Sequence, residues 1–152
     1  MSAPHLAIES GSWEGSLGER AKAVRLTVFV EEQGYPLDGE LDEFDPVATH
    51  FLALDADGQV VATGRLFADQ SDPEVAHIGR MSVRREARGA GVGRRVLLAM
   101  IEEARAQGFA RIVLSSQEPA IGFYERAGFR LTARPSYMDG HIPHRDMELS
   151  LR

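Results

Sequence analysis

The sequence contains no cysteine, which excludes a disulfide framework, a thiolate metal site and a cysteine nucleophile. No apolar run approaches the ~20 residues that span a bilayer, so no membrane segment is expected. The opening Met1-Ser2-Ala3-Pro4-His5 lacks the basic start and apolar centre of a secretory signal, and a cytoplasmic protein is expected. Lys22 is the sole lysine and the net charge is −6. That balance argues against general nucleic-acid binding, which gains affinity by displacing counterions from phosphates. Internal repeats, low-complexity tracts and long linkers are also missing. The 152 residues therefore read as a single domain, 1–152, with one core.

What charge there is has been segregated. Seven acids and no base lie from Glu31 to Asp45: Glu31, Glu32, Asp38, Glu40, Asp42, Glu43 and Asp45. Arg84, Arg85, Arg88, Arg94 and Arg95 follow later with Glu86 as the one acid among them. The first segment suits a cation and the second an anion, unless both are solvated loops.

Periodicity gives the elements. Leu17, Ala21, Val24 and Val28 recur at helical spacing, and Gln33-Gly34 with Pro36 ends that helix. Strands are expected over 49–54, 59–67 and 75–83, joined by turns at Asp57-Gly58 and 69–73. Val96, Leu97, Met100, Ile101 and Ala104 mark a second helix from Val92 to about Gly108. A short apolar strand at 111–114, a short helix at 120–127 and strands at 129–134 and 145–151 complete the chain. The expected class is mixed α/β, with hairpins first and a strand–helix–strand crossover after.

The most informative segment runs from His77-Ile78-Gly79-Arg80-Met81-Ser82-Val83 into Arg88-Gly89-Ala90-Gly91-Val92-Gly93-Arg94. A strand enters a glycine turn that opens an amphipathic helix. Glycine lets backbone approach an anion closely, and the first N–H groups of the helix are unpaired at its positive end. Arg88 and Arg94 would add charge-assisted bonds to phosphate oxygens. A dinucleotide fingerprint fails because its third glycine would be Arg94, and a P-loop fails for want of a lysine. The remaining Arg-Gly-Ala-Gly-Val-Gly matches the Q/R-x-x-G-x-G/A turn that binds the pyrophosphate of coenzyme A.

Together with Pro119-Ala120-Ile121-Gly122-Phe123-Tyr124-Glu125-Arg126-Ala127-Gly128-Phe129, this turn resembles the GCN5-related N-acetyltransferase (GNAT) superfamily. Val28-Phe29-Val30-Glu31-Glu32-Gln33-Gly34 and the ending Gly140-His141-Ile142-Pro143-His144 are similar to a bacterial subgroup with the ElaA- and YjcF-like proteins. The resemblance implies a GNAT fold: one mixed, mostly antiparallel central sheet flanked by helices. It implies an acyl-CoA N-acyltransferase that uses acetyl-CoA as cosubstrate and acetylates a primary amine of a small molecule or peptide. Met81, Ser82 and Val83 would hold the pantetheine arm, and the segment from Arg88 through Gly89, Ala90, Gly91, Val92 and Gly93 to Arg94 the pyrophosphate. Phe123 and Arg126 would flank the thiol end and the adenosine side. Ser115 stands where many members carry Asn, with a shorter reach. Tyr124 occupies the position whose hydroxyl protonates the departing thiolate, and Gln33, Arg80 and Gln117 are expected on the acceptor side. A homodimer is left open.

An amine with a pKa of about 10.4 must lose a proton before it attacks. Glu32, His50, His77, Glu118 and His144 are the candidate bases. Arg80 either meets a substrate carboxylate or pairs with Asp42 or Asp45. The acidic loop would suit a cationic amine. His141 and His144 without a third ligand do not make a metal site, so none is expected. The alternative reading is a non-catalytic acyl-CoA-binding module, which needs the glycine turn but not Tyr124.

Overall fold

A computed structural model describes residues 6–152, so the segment read above for a secretory signal lies outside the described residues. Eight strands form one sheet in the order β1-β2-β3-β4-β5-β8-β6, with β7 also paired to β8. They are β1 (Ala7–Gly11), β2 (Thr49–Leu54), β3 (Val60–Ala68), β4 (Val75–Val83), β5 (Arg111–Gln117), β6 (Arg130–Leu131), β7 (Tyr137–Asp139) and β8 (Ile142–Ser150). Helices α1 (Ser16–Arg25), α2 (Val92–Ala106) and α3 (Ile121–Glu125) flank it. The architecture is the mixed, mostly antiparallel one expected. Its parallel pairing is β4 with β5, joined by the α2 crossover.

The stripe on α2 packs as its spacing requires: Val96, Leu97, Met100 and Ala104 are fully buried, and Ile101 nearly so. α1 buries Ala21 and Val24 against β2, β3 and β4, outside the cluster that holds the α2 stripe. Beyond Arg25 the helix widens over Leu26–Glu32, with Gln33 N–H donating to the carbonyl of Val28 at 3.0 Å, five residues back. That run, Leu-Thr-Val-Phe-Val, is rich in β-branched residues that crowd a regular α-helix. Such one-turn widenings gather at functional sites.

Strand β1 was not expected; it is short, half exposed and at the sheet edge, so it carries little alternation. The β7–β8 hairpin was not expected either. Asp139 pairs with Ile142 across a two-residue loop, and Gly140 at φ 62° takes the left-handed first position of that loop. Its Asp-Gly dipeptide was a usable signal. β5 and β8 run longer than their apolar centres, because their polar ends pair with each other, Gln117 against His144. No helix among the described residues is long and apolar enough to cross a membrane.

Candidate active site

Two irregularities in β4 create the site. First, β4 is in register with β5 only from Val75 to His77, opposite Arg111 to Val113. Past that point the strands splay, and the β5-facing edge of Ile78 to Val83 has no strand partner. Second, the register with β3 slips: Arg65 faces Gly79 while Thr63 faces Ser82. Arg80 and Met81 therefore bulge opposite Gly64, and Arg80 sits at φ 51°, a left-handed conformation that a side chain tolerates at a cost of about 1–2 kcal/mol. Met81 turns inward: a Cβ on Gly64 would lie 2.7 Å from Met81 Sδ and 2.6 Å from Met100 Cε. A side chain at position 64 would force the ends of both methionines to move.

The glycine turn sits beyond the end of that splayed edge. Gly89 and Gly91 have φ 88° and 77°, and an added Cβ on either would meet nothing within 4 Å. Gly91 caps α2 with no side-chain bond, so no capping side chain occupies the first N–H groups of the helix. Gly93 is tightly covered, its would-be Cβ 3.2 Å from Val83 and 3.5 Å from Phe123. Thus Val83, Gly93 and Phe123 meet, whereas Ala90 and Arg94 stay exposed. Arg88 is engaged elsewhere: its guanidinium grips Glu32 at 2.6 and 2.7 Å, and its Nε donates to the carbonyl of Val83. Arg94 and Arg126 have no ion-pair partner among the described residues.

A cavity of about 450 Å³ opens beside the bulge. Phe29, Gln33 and Tyr35 line one side, Gly79 to Met81 the floor, and Ser115, Gln117, Tyr124, Asp139 and His144 the other. Gln117 donates to Gln33 at 2.8 Å, tying β5 to the end of the first helix. The Ser115 hydroxyl bonds to that of Tyr137, which donates onward to Asp146 at 2.5 Å. The wall closes where the Tyr35 hydroxyl donates to the Asp139 carbonyl at 3.0 Å. Tyr35 and Asp139 had no periodic or motif signal; a contact across 104 residues brings them together.

Tyr124 is buried between Phe123 and Phe129, with ring centroids 5.0 and 5.9 Å away. Burial pushes its phenol well above the usual 10. The side-chain polar atoms sealed from solvent without a partner are Arg65 Nε and Arg145 Nε among the described residues. The unpartnered Tyr124 hydroxyl is not among them, so it reaches the cavity it lines.

The acidic segment is largely neutralised internally. Arg25, 1% exposed, bonds Glu40 at 3.0 Å and Asp45 at 2.7 Å. Arg65 bonds Asp42 at 2.6 Å and Asp45 at 2.7 Å. Arg80 reaches Glu40 at 3.3 Å and Asp42 at 3.4 Å, together with the carbonyls of Gly39 and Glu40. Asp45, by contrast, is taken by Arg25 and Arg65.

The candidate bases separate by position. Glu32 is held by Arg88, which lowers its pKa. His50 is buried against Trp13 with Nε2 on the Asp45 carbonyl at 2.9 Å, and burial lowers its pKa. His77 pairs with Asp69 at 2.7 Å, and Glu118 accepts from Ser136 at 2.8 Å. Of the five, His144 alone lines the cavity. His141 packs on Tyr35, with ring centroids 5.1 Å apart.

Comparison with known proteins agrees with this geometry. The profile of the acetyltransferase (GNAT) family matches residues 20–129. The N-acetyltransferase YjcF of Bacillus subtilis is 31% identical over 124 residues, covering 82% of this chain and 86% of that protein. Two solved structures superpose closely. An acyl-CoA N-acyltransferase from Pseudomonas aeruginosa has a TM-score of 0.84 at 28% identity, over 96% of this chain and 100% of the other. ElaA from Escherichia coli has a TM-score of 0.84 at 25% identity, over 96% and 100% respectively.

Proposed function

The chain belongs to the acetyltransferase (GNAT) family and is an acyltransferase, and from that premise we propose that it moves an acetyl group from acetyl-CoA to a primary amine of a small molecule or peptide. The observation that carries this reading is the continuity of an unpaired β4 edge with the bare amides at the start of α2.

The residues fit coenzyme A. A diphosphate needs close backbone and positive potential, and the open space over Gly89 and Gly91 offers the first. The helix start and the unpaired Arg94 offer the second. The free edge at Met81 to Val83 can take the pantetheine amides as an added strand would. Phe123, packed over Gly93, supplies an apolar wall on the way to the cavity. Acetyl-CoA brings the activated thioester; everything else is the work of this chain.

The bulge turns backbone near Met81 toward the cavity, where an N–H can stabilise negative charge on the thioester oxygen. Tyr124, kept protonated by burial, holds a proton for the departing sulfur. Gln33 and Gln117, joined by their hydrogen bond, offer polar groups to the acceptor. Asp38 and Asp139 at the cavity give a cationic amine its electrostatic preference, since Glu40, Asp42 and Asp45 are spent on arginines. The deciding experiment is calorimetry with CoA and acetyl-CoA, followed by an amine panel with free-thiol detection. Saturable heat and thiol release are expected. No heat at millimolar ligand removes the reading.

A further inference from the structure

We infer that His144 is the general base of this enzyme, oriented by the Ile142 carbonyl and backed by Asp139. The inference rests on the acyl transfer proposed above. His144 Nδ1 lies 2.9 Å from the carbonyl oxygen of Ile142. A carbonyl only accepts, so Nδ1 carries the hydrogen and the neutral ring keeps its lone pair on Nε2. Among the described residues that lone pair meets no hydrogen-bond donor, and the carboxylate that faces it, Asp139 Oδ2, is 3.9 Å away, too far for a bond. Although the ring is 7% exposed, Nε2 is not among the atoms sealed from solvent without a partner. It therefore opens into the cavity that Tyr124 also reaches.

The surroundings suit a proton acceptor. From β7, Tyr137 stacks on the ring with centroids 6.2 Å apart, and Asp139 supplies a negative charge. From β5, uncharged Gln117 stands opposite, and Glu118 beyond it is held by Ser136. On β8 itself, Asp146 is bound to Tyr137 and Arg134, while Arg145 reaches the carbonyl of Thr132. Arg80, Glu40, Asp38 and the phenols of Tyr35 and Tyr124 line the same cavity. Arg80 is turned to Glu40 and Asp42, which leaves Asp139 as the nearest charged partner of the imidazolium.

The step balances. A proton passes from the arriving ammonium to Nε2, and the freed nitrogen pair forms the N–C bond to the thioester carbonyl. The C–S bond breaks with its electrons on sulfur, which takes the Tyr124 proton. The surplus proton on the new amide nitrogen restores the phenol, and the imidazolium releases its own to water. One ammonium yields one amide, one thiol and one proton.

His144→Asn keeps a donor near the Nδ1 position and removes the lone pair. At pH 7, kcat/KM for a strongly basic primary amine should fall about 10²-fold. The deficit should shrink as pH rises toward the amine pKa of about 10.4, where the free base supplies itself. A hydrazide acceptor, unprotonated at pH 7, should lose little. Asp139→Asn, on the exposed hairpin, should lower kcat/KM for the same amine by less than His144→Asn does, since Asp139 faces Nε2 at 3.9 Å without bonding it. Acetyl-CoA calorimetry on both variants checks their fold. An equal deficit at every pH and for both acceptors overturns the inference, as does a wild-type rate in His144→Asn at pH 7. A wild type that binds acetyl-CoA yet releases no thiol with any amine overturns the underlying transfer and this step with it.

Discussion

Tyr124 has lost solvent on nearly every side, and burial raises its phenol above the ordinary value of 10. The sign matters: a raised pKa keeps the proton in place through the alkaline range. No fall in kcat from this group is therefore expected below about pH 10, and a pH–rate profile of the wild type checks it. Tyr124→Phe should lower kcat by about 10²-fold, the smaller end for a positioned acid because a thiolate leaves readily. CoA affinity, measured by calorimetry, should be unchanged. Tyr124 was legible in the sequence because a contiguous block carries it. Arg88 was legible as a cation near the turn, but its partner was not. Glu32 lies 56 residues away and reaches it only through the fold.

At the scale of elements, the start of α2 depends on a glycine in left-handed conformation. Gly91→Ala places a Cβ at φ 77°, which should destabilise the fold by about 1–2 kcal/mol. That Cβ projects into open space rather than into protein, so it should also weaken CoA binding in the same calorimetric assay. Gly140 is the complementary case. A Cβ there would lie 2.8 Å from the Tyr35 ring. Gly140→Ala should push the β7–β8 hairpin off the cavity wall, raising KM for the amine while leaving the CoA dissociation constant in place. The helices and the glycine turn could be read from spacing, because local sequence sets them. β1 and β7 could not: short edge and hairpin strands take their hydrogen bonds from distant partners and carry little periodicity of their own.

Across the whole molecule, the buried arginine–carboxylate network ties α1, the acidic segment, β3 and β4 together. Burial alone would raise the pKa of Asp42 and Asp45, but Arg65 and Arg25 outweigh it and lower both. Their contribution is present above the unfolded value of 3.8 and is lost as pH falls through the folded values below it. His50, lowered from 6.5 by burial, acts earlier, because the unfolded chain takes up its proton first and stability drops as pH falls below 6.5. Glu40, raised above 4.5 by burial, has the opposite sign and partly offsets this as it gains a proton in the fold. Urea unfolding at pH 7, 5.5 and 3 should show a small loss in the first interval and a large one in the second. Asp45→Asn, which strands part of two buried guanidinium charges, should cost about 3–5 kcal/mol at pH 7. Against a total of about 5–15 kcal/mol for an ordinary domain, that is a large share.

Local physics set what the sequence determined alone: the α2 stripe, the glycine turn with its bare amides, and the Phe123-Tyr124 block. Each depends on residues within a few positions of one another, so spacing is enough to specify them. Only the tertiary structure decided that Glu32, Glu40, Asp42 and Asp45 of the acidic run meet Arg25, Arg65, Arg80 and Arg88, and that His144 rather than four other candidates lines the cavity. Those outcomes turn on pairing across tens of residues, where charge and ring chemistry are visible in a chain but distance is not.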